Sequence, residues 1–277
     1  MPESDLPRRP GPSVRLRVTE LTAPDGVRER EDRVITEEPL EIRLAWPEAH
    51  AQRAWVTMRT PGHDFELATG WVFHEGLAPR VERVAYCTDT TLRREQEFNV
   101  VTVTLDAAPT SLPHQHEALS AGSSACGVCG TDSVSTALNR TPTVLPWDGP
   151  LPDVDVIRGL PDAMRAQQSL FARTGGAHAA ALATATGELL VVREDVGRHN
   201  AVDKVTGARL LAGLPPGEAC LVVSARAGFE LVQKAVAAGT GSLVAVGAPT
   251  SLAVDLARRA GLALFGFTDA DRTVRYS

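Results

Sequence analysis

Two cysteines separated by two residues could do chemistry that few other residues of this chain could do. Cys126 and Cys129 lie in the stretch AGSSACGVCGTDSVSTAL, and each is followed by a glycine. Small residues surround them, so nothing close in sequence would bury the pair. A helix starting near Asp132 or Ser133 would favour the thiolate over an ordinary thiol, whose pKa is about 8.5. The stretch therefore predicts a mobile loop that presents two reactive thiols.

Three kinds of site use such a cysteine pair. A structural zinc site needs four ligands, but Cys87 and Cys220 stand alone in strand-like sequence and are predicted to be buried. A thioredoxin-like dithiol begins a helix directly after a strand, whereas a polar loop precedes Cys126. A carrier that holds sulfur as a persulfide needs an exposed thiolate on a mobile arm, and the stretch fits this chemistry best.

The composition argues against several other classes of protein. The 277 residues have a formal net charge of −6 and are 43% hydrophobic. Nucleic-acid binding needs a basic surface that neutralises phosphates. No run approaches the roughly 20 apolar residues of a membrane span, and the opening residues MPESDLPRRPGPS lack the apolar core of a secretory signal. We therefore expect a cytoplasmic protein that binds neither nucleic acid nor membrane.

The first half of the chain predicts a small α+β subdomain that carries the cysteine loop. Asp64 is predicted to cap a helix that Gly76 ends, with Phe65, Ala68, Trp71 and Val72 on one face. Short alternating stretches predict strands at residues 14–18, 40–44, 55–58, 84–87 and 100–105. We place a disordered tail at residues 1–13, the N-terminal subdomain at residues 14–150, and the loop within it at residues 120–131.

The second half, residues 151–277, predicts a three-layer α/β subdomain. Pro161 suits the first turn of a helix that ends at Gly175 and carries Leu160, Met164, Gln168 and Phe171. A hairpin with strands at residues 178–183 and 188–193 follows. Apolar strands then alternate with helices, as expected when helices cover both faces of a sheet. These strands are at residues 220–224, 243–247 and 262–267, and the helices at 200–211, 229–238 and 251–260.

Polar loops follow the strands of this predicted sheet, where ligands of such sheets usually bind. The loops hold glycines, hydroxyls and arginines at helix starts, and they span residues 194–200, 225–228, 248–251 and 268–272. Because these groups bind phosphate well, we expect a phosphate-bearing ligand contacted by Arg198, Arg226 and Arg272. His199 and Lys204 are candidates for tuning the acidity of the site.

The sequence His178-Ala179-Ala180 invites comparison with the zinc-dependent deaminases. Their signature is HxE followed downstream by PCxxC. Here alanine occupies the position of the proton-shuttling glutamate, and the CxxC lies upstream of the histidine. A deaminase-shaped core in this chain would therefore lack the metal.

Six motifs together resemble the formate dehydrogenase accessory sulfurtransferases, the FdhD/NarQ family. They are TMRTPGHDFELATGWVFHEGL at residues 57–77, ACGVCG at 125–130, FARTGGAHAAAL at 171–182, REDVGRHNAVDKV at 193–205, FELVQKA at 229–235 and APTSLAVDLA at 248–257. The resemblance covers nearly the whole chain after the tail, and the set is far more specific than any single motif.

The resemblance implies a cytidine-deaminase-like three-layer core without zinc, a smaller N-terminal α+β subdomain and a homodimer. It also implies a persulfide on Cys126, with Cys129 as its neighbour, formed with sulfur from a cysteine desulfurase. The sulfur would pass to the molybdenum cofactor, a bis-pyranopterin guanine dinucleotide, before the cofactor enters apo formate dehydrogenase.

The family's cofactor segment after the last strand corresponds to Phe267, Thr268, Asp269, Ala270, Asp271 and Arg272. With the sheet-edge loops, the candidate cofactor-binding set also contains Gly175, His178, Gly197, Arg198, His199, Ser224 and Arg226. The chain departs from the family pattern at Thr131-Asp132, where many members have a basic residue, so the thiolate must be activated from elsewhere. The TDADR segment is more acidic than usual, and Gly228 replaces a common serine.

Two other functions are compatible with these residues. A chaperone that holds finished molybdenum cofactor would need the pocket but not the thiols. A dithiol oxidoreductase would cycle Cys126 and Cys129 through a disulfide on generic substrates, without a cofactor.

Overall fold

The computed structural model describes residues 10–77, 80–88, 92–93, 96–109 and 144–277. The predicted cysteine loop, with Cys126 and Cys129, lies outside these residues. Among the described helices, none is both long and apolar enough to cross a membrane.

The chain begins with an antiparallel two-stranded ribbon formed by β1 (Ser13–Thr22) and β2 (Gly26–Ile35). A four-stranded sheet follows, with strands β3 (Glu38–Trp46), β4 (Ala49–Arg59), β5 (Val81–Tyr86) and β6 (Val100–Leu105) in the order β4-β3-β6-β5. Strands β3 and β6 are parallel, whereas the other two pairings are antiparallel. The strands predicted in this half are confirmed, except that Cys87 lies just beyond the end of β5.

Helix α1 (Asp64–His74) covers the four-stranded sheet. Its predicted face is confirmed, because Ala68, Trp71 and Val72 are buried in the core of the sheet, and Trp71 stacks on Trp55 of β4 at 5.0 Å. The helix ends as predicted before Gly76, whose φ is +64°.

The predicted role of Asp64 as the cap of α1 is wrong. His63 holds the cap position in the left-handed region, at φ 57°, and makes no side-chain cap hydrogen bond. The Asp64 carboxylate instead binds two side-chain donors. It accepts a hydrogen bond from Arg59 Nε at 2.9 Å and another from the Tyr86 hydroxyl at 2.7 Å.

The second half forms a six-stranded sheet with helices on both faces. Its helices are α2 (Val154–Gln167), α3 (Ser169–Thr174), α4 (Arg198–Leu211), α5 (Phe229–Ala237) and α6 (Ser251–Ala260). Its strands are β7 (His178–Ala183), β8 (Leu189–Asp195), β9 (Cys220–Val223), β10 (Ser242–Ala245), β11 (Ala263–Gly266) and β12 (Val274–Arg275). The sheet order is β12-β11-β10-β9-β7-β8.

Three layers result, as the sequence predicts. Helix α2 packs on one face of the sheet, and α4, α5 and α6 pack on the other. Strands β9, β10 and β11 are parallel, whereas β7 runs antiparallel to both β8 and β9. The C-terminal ends of β8 to β11 therefore meet at one edge of the sheet, together with the start of β7.

The predicted helix start at Pro161 is wrong. Pro161 lies inside α2, which begins seven residues earlier, at Val154. Asp153 sets the start because its carboxylate accepts a hydrogen bond from the Val156 amide at 2.8 Å. The helix also breaks at Gln168, so the single predicted helix is two, of which α3 ends at Gly175 as expected.

Helices α1 and α4 cross where each has a glycine, which joins the two sheets. A Cβ atom on Gly70 would lie 1.9 Å from the carbonyl oxygen of Asp203, and one on Gly207 would lie 1.8 Å from that of Glu66. No other residue type allows backbones to approach this closely. The subdomain boundary near residue 150 stays a prediction.

Candidate functional site

The edge where the strands end holds an open pocket of about 400 Å³. Four residues of the predicted set line it, and they come from two separate loops and the start of β7. They are His178, Arg198, Ser224 and Arg226, and the rest of the wall is formed by Ala225, Val246 and Gly247. The topology thus brings together residues that are far apart in sequence, because β7, β8, β9 and β10 all reach this edge.

Two arginines give the pocket its charge. Among the described residues, the guanidinium groups of Arg198 and Arg226 have no carboxylate partner. By contrast, Arg59 and Arg193 each face a carboxylate. Two uncompensated cations at one cavity, in a chain of net charge −6, are suited to an anionic ligand.

The imidazole of His178 adds a neutral polar group to this wall. Burial, together with the nearby charges of Arg198 and His199, lowers the pKa of His178 below its usual value of 6.5. The Ser224 hydroxyl lies 3.5 Å from His178 Nδ1 and accepts a hydrogen bond from the Ala179 amide at 2.8 Å. Near neutral pH the pocket therefore offers a ligand the neutral imidazole of His178, which can donate and accept a hydrogen bond, and the hydroxyl of Ser224, in addition to its two cations.

Helix α4 starts beside the pocket with its backbone donors uncapped. Gly197 is its N-cap and has no side chain to accept their hydrogen bonds. Helix α5 likewise begins after Gly228 without a side-chain cap. Free N–H groups at a helix start attract anions, and they add to the charge of Arg198 at the same place.

The predicted cofactor segment, residues 267–272, lies next to the pocket without lining it. The Phe267 amide donates to the carbonyl oxygen of Gly247, a pocket residue, at 3.2 Å. The Phe267 side chain is 41% exposed, and Arg272 lies over its ring at 5.1 Å. An aromatic surface therefore stands close to the rim.

One of the two carboxylates of this segment, that of Asp269, is engaged in hydrogen bonds within the turn. Asp269 accepts hydrogen bonds from the amides of Asp271 and Arg272 at 3.0 and 2.9 Å. Thr268 is buried and shares a hydrogen bond with Thr273 at 2.8 Å. Ala270 and Asp271 are exposed.

Three other predicted residues contribute to the frame of the site. Gly175 ends α3 with a φ of +67°, and Gly197 caps α4. His199 Nε2 lies 2.5 Å from Glu230 Oε2, so its ring is engaged between α4 and α5. None of the three lines the pocket.

A buried polar network that the sequence did not predict lies behind the loop that bears Arg198, and it includes the predicted site residue Lys204. Asp195 and Lys204 form an ion pair of 2.6 Å in which both side chains are almost fully buried. Asn200 and Thr60 complete the network. One signal was available: positions 200, 203 and 204 of α4 are polar, although they share a helix with Ala201, Val202 and Val205, which are core residues.

The isolated cysteines differ from each other. Cys220 is fully buried as predicted, and burial raises the pKa of its thiol to about 12. Cys87 was also predicted to be buried but is half-buried, because it lies past the end of β5. Its sulfur is 3.8 Å from Arg43 Nη1. The roles of Cys126 and Cys129 stay predictions.

Known proteins similar to this chain point to one family. The model of the FdhD/NarQ family matches residues 35–277. A sulfur carrier protein FdhD from Corynebacterium efficiens is 45% identical over 261 residues, covering 91% of each chain. The sulfur carrier protein FdhD of Nocardia farcinica is 45% identical over 269 residues, covering 96% of this chain and 93% of the relative. A crystal structure from Desulfotalea psychrophila, described as a formate dehydrogenase accessory protein, has a TM-score of 0.69 over 96% of each chain at 21% identity. That likeness concerns the fold.

Proposed function

Because the chain belongs to the FdhD/NarQ family, we propose that it is a sulfur carrier for the maturation of a formate dehydrogenase. Its substrate would be the molybdenum cofactor in the bis-pyranopterin guanine dinucleotide form. The observation that carries the proposal is the pocket in which Arg198 and Arg226 face one cavity without carboxylate partners in the described part of the chain. A homodimer and a cytidine-deaminase-like shape of the three-layer core, without zinc, belong to the same proposal.

The pocket has the chemistry to hold one nucleoside-diphosphate end of such a substrate. Arg198, Arg226 and the start of α4 would bind the phosphates, because guanidinium groups and free helix N–H groups both prefer anions. The volume of about 400 Å³ is within the usual range for small-molecule sites. Phe267, exposed beside the rim, offers a surface on which a purine ring would stack.

The sulfur would reach the protein by exchange between two cysteines. The Cys126 thiolate attacks the outer sulfur of a desulfurase persulfide, a Cys126 S–S bond forms, and the S–S bond of the desulfurase breaks. The desulfurase cysteine leaves as a thiolate, so the step conserves electrons and needs no external oxidant.

Cys129 would act in the release of sulfur. Its thiolate attacks Sγ of the Cys126 persulfide, a disulfide forms between the two cysteines, and the outer sulfur leaves as hydrosulfide. The dithiol is oxidised by two electrons and the sulfur is reduced by two. A cellular dithiol reductant must then restore the pair.

Intact-mass spectrometry tests the first step. After incubation with a cysteine desulfurase and cysteine, the wild type should gain about one sulfur atom, which a reductant removes. Cys126→Ser should gain none, and its transfer of labelled sulfur to the cofactor should be lost while binding of GDP is retained. Cys87→Ser is the matched control and should behave as wild type. Equal transfer of labelled sulfur by Cys126→Ser would rule the mechanism out.

The same variants separate the competing functions. If the formate dehydrogenase is still activated when Cys126 and Cys129 are both serine, the protein is a chaperone for finished cofactor. If the two cysteines cycle through a disulfide with generic substrates and without the cofactor, the protein is an oxidoreductase. Loss of activation with GDP binding intact is the result that we expect.

A further inference from the structure

The Asp195 carboxylate joins parts of the chain that surround Arg198. Asp195 is the last residue of β8 and is fully buried. Its Oδ1 accepts hydrogen bonds from the Gly197 amide at 2.8 Å and from Asn200 Nδ2 at 3.0 Å. Its Oδ2 accepts one from the Thr60 amide at 3.1 Å and lies 2.6 Å from Lys204 Nζ. One carboxylate thus holds the loop, the first two turns of α4 and the residue after β4.

Thr60 uses all of its polar groups on this same segment. In addition to the bond from its amide to Asp195, its hydroxyl accepts a hydrogen bond from the Val196 amide at 3.0 Å. Its carbonyl oxygen accepts one from Lys204 Nζ at 3.0 Å. Thr60 is 1% exposed, so these bonds form away from water. The N-terminal half of the molecule therefore holds the loop from behind.

Arg198 is the residue of this segment that the network leaves free. Val196 and Gly197 are fixed on one side of it, and Asn200 is fixed on the other by Asp195 and by the carbonyl oxygen of Met58 at 2.8 Å. Its guanidinium has no carboxylate partner among the described residues and lines the pocket. The position of this cation at the pocket therefore depends on the backbone that the network holds in place.

We propose that Asp195 is a positioning residue for the anion pocket: with Thr60 and Lys204 it sets the backbone so that Arg198 and the start of α4 face the ligand. The inference rests on the proposed function, because it assumes that the pocket binds an anion. If the proposal is right, affinity for the ligand depends on Asp195 although this buried residue does not contact the ligand.

Electrostatics and positioning predict opposite effects when the charge of Asp195 is removed. His178, which lines the pocket, pairs with Asp195 in the sheet and feels its charge. If Asp195 acted on the pocket by its charge alone, Asp195→Asn would make the pocket more positive and tighten anion binding. If Asp195 positions Arg198, the same substitution weakens binding despite the added positive charge.

The test is a double-mutant cycle on the full-length protein, with GDP as the probe and calorimetry as the readout. Arg198→Ala and Asp195→Asn should each weaken GDP binding by roughly tenfold or more. In the Arg198→Ala background, Asp195→Asn should have a clearly smaller effect, since only its action on the start of α4 remains. Thermal unfolding shows whether each variant is folded at the temperature of the titration.

A second variant keeps the test independent of the stability of Asp195→Asn. Thr60→Val removes the acceptor of the Val196 amide without changing charge and should weaken GDP binding severalfold. Thr69→Val is the matched control: Thr69 is a buried threonine of α1 whose hydroxyl has no hydrogen-bond partner among the described residues. It should bind GDP as the wild type does.

The outcomes separate this inference from the proposed function. If Arg198→Ala leaves GDP binding unchanged, the pocket is not the anion site and both proposals fall. If Arg198→Ala weakens binding while Asp195→Asn tightens it, leaves it unchanged or adds independently, only the positioning role of Asp195 is wrong. Unchanged binding in folded Thr60→Val would also overturn that role.

Discussion

The joint between the two sheets, where α1 and α4 cross, and the pocket at the sheet edge share the loop after β8. They differ in how the charges on that loop are paired. On the inner side, the charge of Asp195 is matched by Lys204 at 2.6 Å, and Glu66 of α1 is matched by Arg193 of β8. On the outer side, three residues along the chain from Asp195, Arg198 has no carboxylate partner among the described residues. These charges of the joint are thus paired with opposite charges, whereas the charge of Arg198 at the pocket is not, within the described ranges.

This contrast shows how buried and exposed charge serve different purposes. A buried charge without a partner is costly, so the charges of the joint occur in pairs that fix geometry. A cation at an open pocket is hydrated until a ligand arrives, and its missing partner is then supplied by the ligand. Substitutions in the pocket should therefore change affinity with little effect on stability, whereas substitutions in the joint should change stability and, at Asp195 and Thr60, affinity as well.

The helix crossing should be the most sensitive part of the joint. In Gly207→Ala, the new Cβ would lie 1.8 Å from the carbonyl oxygen of Glu66, so the helices must separate. We expect the free energy of unfolding in urea to fall by about 3 kcal/mol or more. The control is Gly159→Ala in α2, where no atom of the described residues lies within 4 Å of the added one. It should be neutral or stabilise by up to about 1 kcal/mol. Equal stability of the two variants would contradict the close crossing.

The Glu66–Arg193 pair should make the joint sensitive to acid. Burial opposes ionisation of Glu66, but hydrogen bonds from Arg193 and His63 lower its pKa from 4.5 to about 2. The stabilisation is fully present above pH 4.5 and is lost as the pH falls through about 2.

Arg193→Met should therefore destabilise the protein by about 2 kcal/mol at pH 7, with the difference from wild type shrinking toward pH 2. Urea unfolding at a series of pH values measures it. Arg158→Met removes an exposed ion pair with Asp155 and should change stability by less than about 0.5 kcal/mol at every pH. A pH-independent effect of Arg193→Met would show that packing, not charge, dominates.

On the pocket side, Arg226→Ala should weaken GDP binding by roughly tenfold, or about 1.4 kcal/mol, because a charge-assisted contact to phosphate is lost. Its free energy of unfolding should stay within about 0.5 kcal/mol of wild type, since Arg226 is exposed and has no ion-pair partner among residues 10–77, 80–88, 92–93, 96–109 and 144–277. Arg259→Ala, an exposed arginine of α6, should change neither quantity. A large loss of stability in Arg226→Ala would erase the distinction between joint and pocket.

The smallest expected effect comes from His178. Because burial and nearby cations lower the pKa of His178 below 6.5, its ring is neutral at pH 7 and gains charge only at lower pH. GDP affinity of the wild type should therefore rise about threefold more than that of His178→Gln between pH 7.5 and pH 5.5, a difference below about 1 kcal/mol. Comparing the two proteins cancels the titration of the GDP phosphates. Parallel pH profiles would place the imidazole outside the ligand's reach.

Periodicity predicted most of the fold because apolar residues mark buried faces regardless of tertiary detail. The hairpin of β7 and β8 and the three βα repeats follow from apolar strands between amphipathic helices. The errors concern two helix starts, the break at Gln168 and the end of β5 at Cys87. A carboxylate near an amide predicts a cap equally well at positions 64 and 153, and only the tertiary structure shows that Arg59 and Tyr86 bind Asp64 instead.

The pocket was predictable in outline and the joint was not. Arg198 and Arg226 follow predicted strands and Ser224 ends one, so a topology with those strands side by side places them at one edge. The bonds of Thr60 to a segment about 135 residues away have no local signal. Buried polar residues such as Asn200 and Lys204 look like surface positions until a second element is seen to cover them.

The contact between the α1 and α4 backbones has a practical consequence for protein engineering. With no side chain between the two helices at positions 70 and 207, the crossing offers no volume that repacking could exchange. Variation aimed at a different ligand would therefore be tolerated far better at the exposed positions of the rim than along these helices. A library built on this scaffold should leave both glycines fixed.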